Sequence, residues 1–432
     1  MKKEFIDVIN KLANKGKELG FYHLNMENES FDGKHLTVKG KEYIYFSSCS
    51  YMGLETNEKM KLAAIDAVQR YGTQFSSSRT SISLTLYEEL EDLLGKIYGK
   101  PTYLAPTTSL GHISIIPTIM DTRDAIIMDQ QVHNSVKNAV QMVKGDGVYT
   151  EILKHNKIDY LETRIQILKQ SYDRVWYMCD SVYSIFGDTA PFKDITPLLD
   201  RYEQFHLYVD DAHGMSWAGK HGRGYVLNQM PFHERMIVTS SLAKGFGSCG
   251  GALIFNDEAQ KELIRNCSSS SIFSGPLQPA VLGASIASAK IHLSEEIETM
   301  QDELFERMFY FVQTAANHNI PIISNEMTPI FYVAIGKPEV GQKLSLFLQN
   351  EGYFSNYMVF PTVPMKNSGM RITLTRHHSL KDIQNLLERV AYGFEKIMKE
   401  ENYSMEELYE DFSLIEPSKS NKVEPVIRLK VA

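Results

Sequence analysis

The stretch HLYVDDAHG, residues 206–214, decides the fold. Its apolar run stops abruptly at two aspartates and a histidine. A strand with consecutive apolar positions is buried on both faces, the pattern of a parallel sheet covered by helices. Four more runs share this form: AIIMD (125–129), VWYMCD (175–180), MIVTSS (236–241) and GALIF (251–255). Four of the five end in polar residues, and in open α/β sheets ligands bind outside the carboxyl ends of the strands.

Between these runs the period changes to that of a helix. Over 57–71, Leu62, Ile65 and Val68 share a face and Gly72 stops the pattern. Over 85–98, Thr85 and Glu88 have capping-box spacing, and Leu86, Leu90, Leu93 and Ile97 form the stripe expected to be buried. Alternation of strand and helix predicts βαβ units in a large, mostly parallel sheet domain over 57–285, preceded by an N-terminal arm, 1–56. After residue 285 the pattern changes to helices around 286–316 and 379–400, with strand-like IFYVAIG and MRITLT. We read 286–399 as a smaller α+β domain, and 400–432, with Pro417 and Pro425, as a loosely attached charged extension.

Composition limits the functional classes. The 432 residues are 43% hydrophobic and 23% charged, ordinary values for a folded chain. A net charge of −8 opposes a phosphate-backbone footprint, so no nucleic-acid partner is expected. No apolar run approaches the ~20 residues of a bilayer helix. The basic start lacks an apolar signal region, and Cys49, Cys179, Cys249 and Cys267 have neither CxxC spacing nor disulfide density, so a cytoplasmic location is expected.

The candidate chemistry lies at the strand ends. Asp210, Asp211 and His213 suit a metal site, a structural cap, or a carboxylate that keeps a pyridine nitrogen protonated. His133 follows another strand, where it can lie against an aromatic ring or simply sit in a loop. Ser184 suits a turn or a site. In APTTSLGH (105–112), Thr107, Thr108 and Ser109 offer hydroxyls and free N–H groups to an anion, or an ordinary N-cap. Lys244 stands between MIVTSS and a cluster of four glycines, where a lean backbone admits a ligand to a reactive amine.

The ordered set DDAHG, GRG and KGFG resembles that of the α-oxoamine synthases, fold type I pyridoxal 5'-phosphate (PLP) enzymes, over nearly the whole chain. By that resemblance Lys244 forms the Schiff base, Asp210 faces the pyridine nitrogen, His213 the ring oxygen, and His133 stacks on the ring. Ser184 and Ser241 lie against the cofactor, Thr108 and Ser109 hold its phosphate, and Ser274 reaches it from the second subunit of a homodimer. Arg371 grips the amino acid's carboxylate. The implied reaction condenses a small amino acid with an acyl thioester, on coenzyme A or a carrier protein, losing carbon dioxide and giving an α-amino ketone such as a sphingoid or sulfonolipid base precursor. No metal is implied.

Rival readings are an aminotransferase or aldol-type lyase of the same fold, and a subunit without turnover. The chain departs from the family pattern around the substrate. Cys49 and Ser50 replace the amide of the NDYLGL-type segment, and Phe360 replaces an arginine. Ser50 is therefore assigned to substrate binding, with serine or cysteate expected over glycine or alanine.

Overall fold

The computed structural model describes residues 2–324 and 326–412. An antiparallel hairpin of β1 (His35–Val38) and β2 (Lys41–Tyr45) opens the strand order. The large sheet takes β3 (Thr102–Ala105), β4 (Asp124–Asp129), β5 (Tyr149–Leu153), β6 (Arg174–Asp180), β7 (Phe205–Asp210), β8 (Met236–Ser241) and β9 (Gly251–Ile254). Then follow β10 (Ile330–Gly336), β11 (Tyr353–Phe354), β12 (Asn356–Met358) and β13 (Ser368–Thr373).

In the seven-stranded sheet the order is β3-β9-β8-β7-β6-β4-β5. Pairs from β8 through β5 are parallel, whereas β9 is antiparallel to both of its neighbours. The expected mostly parallel sheet is therefore present, with GALIF as its reversed strand. Successive side chains of a strand alternate between faces, so two-sided burial demands apolar residues at both parities. In β6, Val175, Tyr177 and Cys179 enter one core while Trp176 and Met178 enter the other. Helices Thr85–Tyr98, Ile158–Leu168, Phe192–Arg201 and Pro279–His292 cover the first face, and Thr108–Ile119, Asn134–Gly145 and Glu258–Cys267 the second. Two strands of this sheet escaped the sequence reading. β3 has only four residues, and β5 is an edge strand with partly exposed positions.

The C-terminal unit packs antiparallel β10, β13 and β12 against helices Glu296–Asn317, Pro338–Asn350 and Leu380–Glu400. Phe46, Tyr51, Met52 and Leu54 join this core, and the Thr373 and Arg376 N–H groups donate to the Phe46 and Tyr51 carbonyls. The segment leading into the large sheet is thereby fixed beside Arg371.

Several expectations need correction. The helix at 58–71 turns Leu62 and Ile65 outward, 57% and 53% exposed, and buries Met60 and Ala67 instead. Thr85 is helical rather than an N-cap, Leu84 occupies the cap position without a side-chain bond, and Leu94 rather than Leu93 is buried. The long helix expected around 286–316 is two helices, broken between His292 and Glu296. The extension is not loose at its start. Met405–Phe412 forms a helix with Leu408 fully buried in the core of the C-terminal unit. Residues 413–432, including both prolines, lie outside the described residues.

Candidate active site

Strand direction assembles the site. β6, β7 and β8 run parallel, so Asp180, Asp210 and Ser241 emerge side by side at their carboxyl ends. A cavity of about 200 Å³ opens there, its wall including Asp210, His213, Lys244, His133, Ser241 and Asp180. Thr107, Thr108 and Ser109 complete one end. Of the expected residues, these are brought together; Ser184, Ser50, Ser274 and Arg371 are not part of this wall.

Asp210 is buried, and one carboxylate oxygen accepts the Ala212 N–H at 3.0 Å. The other lies 3.0 Å from His112 Nε2, whose Nδ1 is 2.7 Å from the Tyr208 hydroxyl. Burial alone would raise the Asp210 pKa, but the charges of His112, Lys244 and His133 outweigh it and hold the carboxyl at about 2. Its neighbour Asp180 behaves oppositely, driven well up by burial and by the Asp210 charge. The two neighbouring carboxyls are thus driven in opposite directions, Asp210 toward the ionised form and Asp180 toward the protonated one. Asp180 Oδ1 also accepts the His133 N–H at 2.9 Å, which sets the start of the helix Asn134–Gly145.

Burial lowers the Lys244 pKa, with Cys49, Asp210 and Asp180 opposing, so this amine loses its proton more readily than a surface lysine. His213 is neutral because burial, then the Lys244 and Arg371 charges, depress its pKa far below the usual range. Its Nδ1 is 2.7 Å from the Tyr51 hydroxyl, and its carbonyl accepts from Trp217 Nε1 at 2.6 Å. His133 lies at the mouth with Nδ1 2.6 Å from the Ser135 hydroxyl.

The anion end is built by backbone. Thr107 caps the helix Thr108–Ile119 by accepting the Leu110 N–H at 3.1 Å, and the first-turn N–H groups have no intrahelical acceptor. The Thr108 hydroxyl is committed to the Ser240 carbonyl at 3.2 Å, so amides rather than that hydroxyl are offered. The glycines here allow close packing of the backbone. A Cβ on Gly251 would stand 2.7 Å from the Thr108 nitrogen, and Gly247 has a φ of 77° with Leu54 against it.

The motifs DDAHG and GRG meet through Asp211. A Cβ on Gly214 or on Gly224 would lie 1.9 Å from an Asp211 carboxylate oxygen. Asp211 is thus a buried clamp for the GRG loop rather than a ligand, with the Ser181 hydroxyl on its Oδ1. Among the described residues no cluster of acidic, histidine and cysteine side chains could hold a metal ion.

Arg371 is buried on β13, next to the cavity. Its Nε donates to the Ser184 carbonyl at 2.5 Å and its Nη2 approaches Cys49 Sγ at 3.7 Å. Burial would raise the Cys49 pKa, but Arg371 and Lys244 overcome it and the thiol's pKa falls. Ser50 donates its N–H to the Ser48 hydroxyl, and Ser274 lines a separate small crevice with Arg79 and Tyr87. His112, Asp180 and Tyr51 were missed as functional residues. His112 lay within APTTSLGH and Asp180 at the end of VWYMCD, where a polar group on an otherwise apolar run was the available signal, whereas Tyr51 follows Ser50 and carried no such signal.

The model of the family "aminotransferase class I and II" matches residues 41–390. The 8-amino-7-oxononanoate synthase of Thermoanaerobacter pseudethanolicus is 30% identical over 400 residues, covering 92% of this chain and 98% of that protein. The serine palmitoyltransferase of Bacteriovorax stolpii is 27% identical over 393 residues, 90% and 92% of the two chains. The solved Sphingomonas wittichii serine palmitoyltransferase superposes with a TM-score of 0.84 at 20% identity, covering 91% of this chain and 98% of its own. With its family match, its 30%-identical relative and a lysine, an aspartate and a histidine around one cavity at the strand ends, the chain belongs to the class I and II aminotransferase family, in its α-oxoamine synthase branch.

Proposed function

We propose that the protein joins a small amino acid to an acyl thioester, with loss of carbon dioxide, using pyridoxal phosphate carried on Lys244. The observation that carries this reading is the pairing of an ionised, buried Asp210 with a lysine of lowered pKa on one cavity wall. The residues present fit the cofactor. A phosphate suits the first-turn amides at Thr108 and Ser109, and a protonated pyridine nitrogen suits the Asp210 carboxylate backed by His112. When bound, the cofactor supplies an electron sink for the amino acid's α-carbon.

The chain's own residues do the rest. Asp210 holds a proton at the pyridine nitrogen, and the Asp210–His112–Tyr208 chain keeps that carboxylate ionised and aimed. Neutral His213, fixed by Tyr51, would hold the ring oxygen of the bound cofactor, and the His133 imidazole would hold its ring. Ser241, on the cavity wall, and Ser184, outside it, would help to hold the cofactor. Lys244 takes the α-proton, its free amine favoured by burial. Arg371 binds the carboxylate through the guanidinium edge left after Nε is given to Ser184.

Cys49 and Ser50 set the preference for a short polar side chain, serine or cysteate, since Cys49 is the group against which Arg371 rests. A homodimer completes the site with Ser274 of the second copy. The 85% exposure of Phe273, next to Ser274, and the outward Leu62 and Ile65 support this reading. Among the described residues no helix is long and apolar enough to cross a membrane.

Thiol release and carbon dioxide, measured together for serine, cysteate, alanine and glycine with one long-chain acyl thioester, test the reading. Equal amounts of both products support it. Amino-group transfer without carbon dioxide overturns it.

A further inference from the structure

Outside the cavity wall, the described residues hold a half-buried acid–histidine–acid bridge that the reaction above does not use. His155 follows β5, with Nδ1 2.8 Å from Asp129 Oδ1 and Nε2 2.6 Å from Asp188 Oδ2. A neutral imidazole carries one N–H, so two carboxylate partners call for the doubly protonated ring. Asp129, at the end of β4, also accepts the Gln131 N–H at 2.7 Å, the Asn156 N–H at 3.0 Å and the Tyr177 hydroxyl at 3.1 Å. It is therefore an anchored point, and His133 lies four residues further on.

Asp188 belongs to a tight loop. Val182 and Thr189 form a bridge, the Tyr183 N–H donates to the Asp188 carbonyl at 2.8 Å, and Asn156 Nδ2 holds the Thr189 carbonyl at 3.0 Å. At the tip of this loop the Ser184 carbonyl receives Arg371 Nε, and the Gly187 carbonyl receives the Thr328 hydroxyl at 2.8 Å. The loop thus connects the His155 bridge on one side to the carboxylate-binding arginine on the other.

We propose that His155 is a positioning residue for amino-acid binding: by tying Asp188 to Asp129 it fixes the 182–189 loop, and through the Ser184 carbonyl it fixes the orientation of Arg371. The proposal rests on the reading of Arg371 as the carboxylate-binding group. The groups facing His155 are Asp129 from β4, Asp188 and the edge-on Tyr183 ring from the loop, and Tyr177 from β6 behind Asp129. Both phenols are pushed up by burial and stay neutral; Glu326 and Lys193 lie further out, near Asp188. Burial opposes the charge on His155, but the two carboxylates outweigh it and raise its pKa to about 9. The bridge accordingly holds across neutral pH and opens in alkaline solution.

The test compares holoenzyme with Asp188→Asn and His155→Gln variants. The amide introduced by Asp188→Asn still accepts one hydrogen bond but removes half of the negative charge that keeps His155 protonated. Asp188→Asn is expected to keep the absorbance of lysine-bound cofactor, to raise the KM for the amino acid about tenfold with a smaller change in kcat, and to speed amide exchange over 182–189. In the parent, KM is expected to climb as pH passes about 9; in Asp188→Asn that climb moves down by about one pH unit or more. His155→Gln is expected to lose the climb altogether. Loss of stability with unchanged KM, or an alkaline limb at the same pH in parent and variant, overturns the proposal. If the parent shows no lysine-bound cofactor, the proposed function fails instead, and the exchange comparison alone decides whether the bridge fixes the loop.

Discussion

Replacing Asp211 by asparagine isolates the stability effect of one buried carboxyl. Burial, reinforced by the Asp210 charge and only partly offset by the Ser181 hydroxyl, pushes Asp211 up to about 8 in the fold. An unfolded aspartate titrates near ~3.9. The folded value is raised, so the contribution to stability is fully present below pH ~4 and is lost as pH rises through about 8. A gap of about four units at ~1.4 kcal/mol each corresponds to about 6 kcal/mol between those limits. Asparagine has the same shape between Gly214 and Gly224 and carries no proton to lose. The expected result is a stability difference, Asp211→Asn minus parent, that grows by several kcal/mol from pH 4.5 to pH 9, read from urea unfolding followed by far-UV circular dichroism. Parallel pH profiles for the two proteins would refute the claim that Asp211 is a protonated clamp.

Arg371→Lys keeps the charge but loses the planar fork, so KM for the amino acid is expected to rise about 10- to 100-fold while cofactor absorbance is unchanged; steady-state kinetics with spectra check this. Cys49→Ala removes the sulfur against Arg371, and the kcat/KM ratio of serine over alanine is expected to fall about tenfold; an unchanged ratio shows that Cys49 does not choose the side chain. Charging the outward face of the helix 58–71 with Leu62→Glu and Ile65→Glu is expected to give inactive monomers by sedimentation, and an active dimer of that variant would place the interface elsewhere.

The large sheet was legible because two-sided burial leaves unbroken apolar runs, and the polar residues that end them mark the cavity. Lys244, Asp210, His213 and His133 stand out for that reason. What escaped depends on tertiary neighbours. His112 is three helical residues past a visible N-cap motif, and only the fold brings its Nε2 to Asp210. Arg371 and Cys49 are more than 300 positions apart in sequence and meet because residues 46–54 pack into the C-terminal core. Leu62 and Ile65 looked like a core face, and periodicity alone cannot distinguish a face turned to the protein's own core from one turned outward. The Thr85 capping box failed because its spacing fits a helix that in fact begins one residue earlier than the motif requires.

The central claim is that Lys244 carries pyridoxal phosphate, and borohydride reduction of the purified protein followed by peptide mass spectrometry tests it most directly. A pyridoxyl adduct blocks tryptic cleavage at the modified lysine, so the expected product is an uncut peptide spanning 236–261 with the adduct on Lys244, absent from Lys244→Ala. A reduced adduct on a different lysine, or none in protein saturated with the cofactor, would contradict the account.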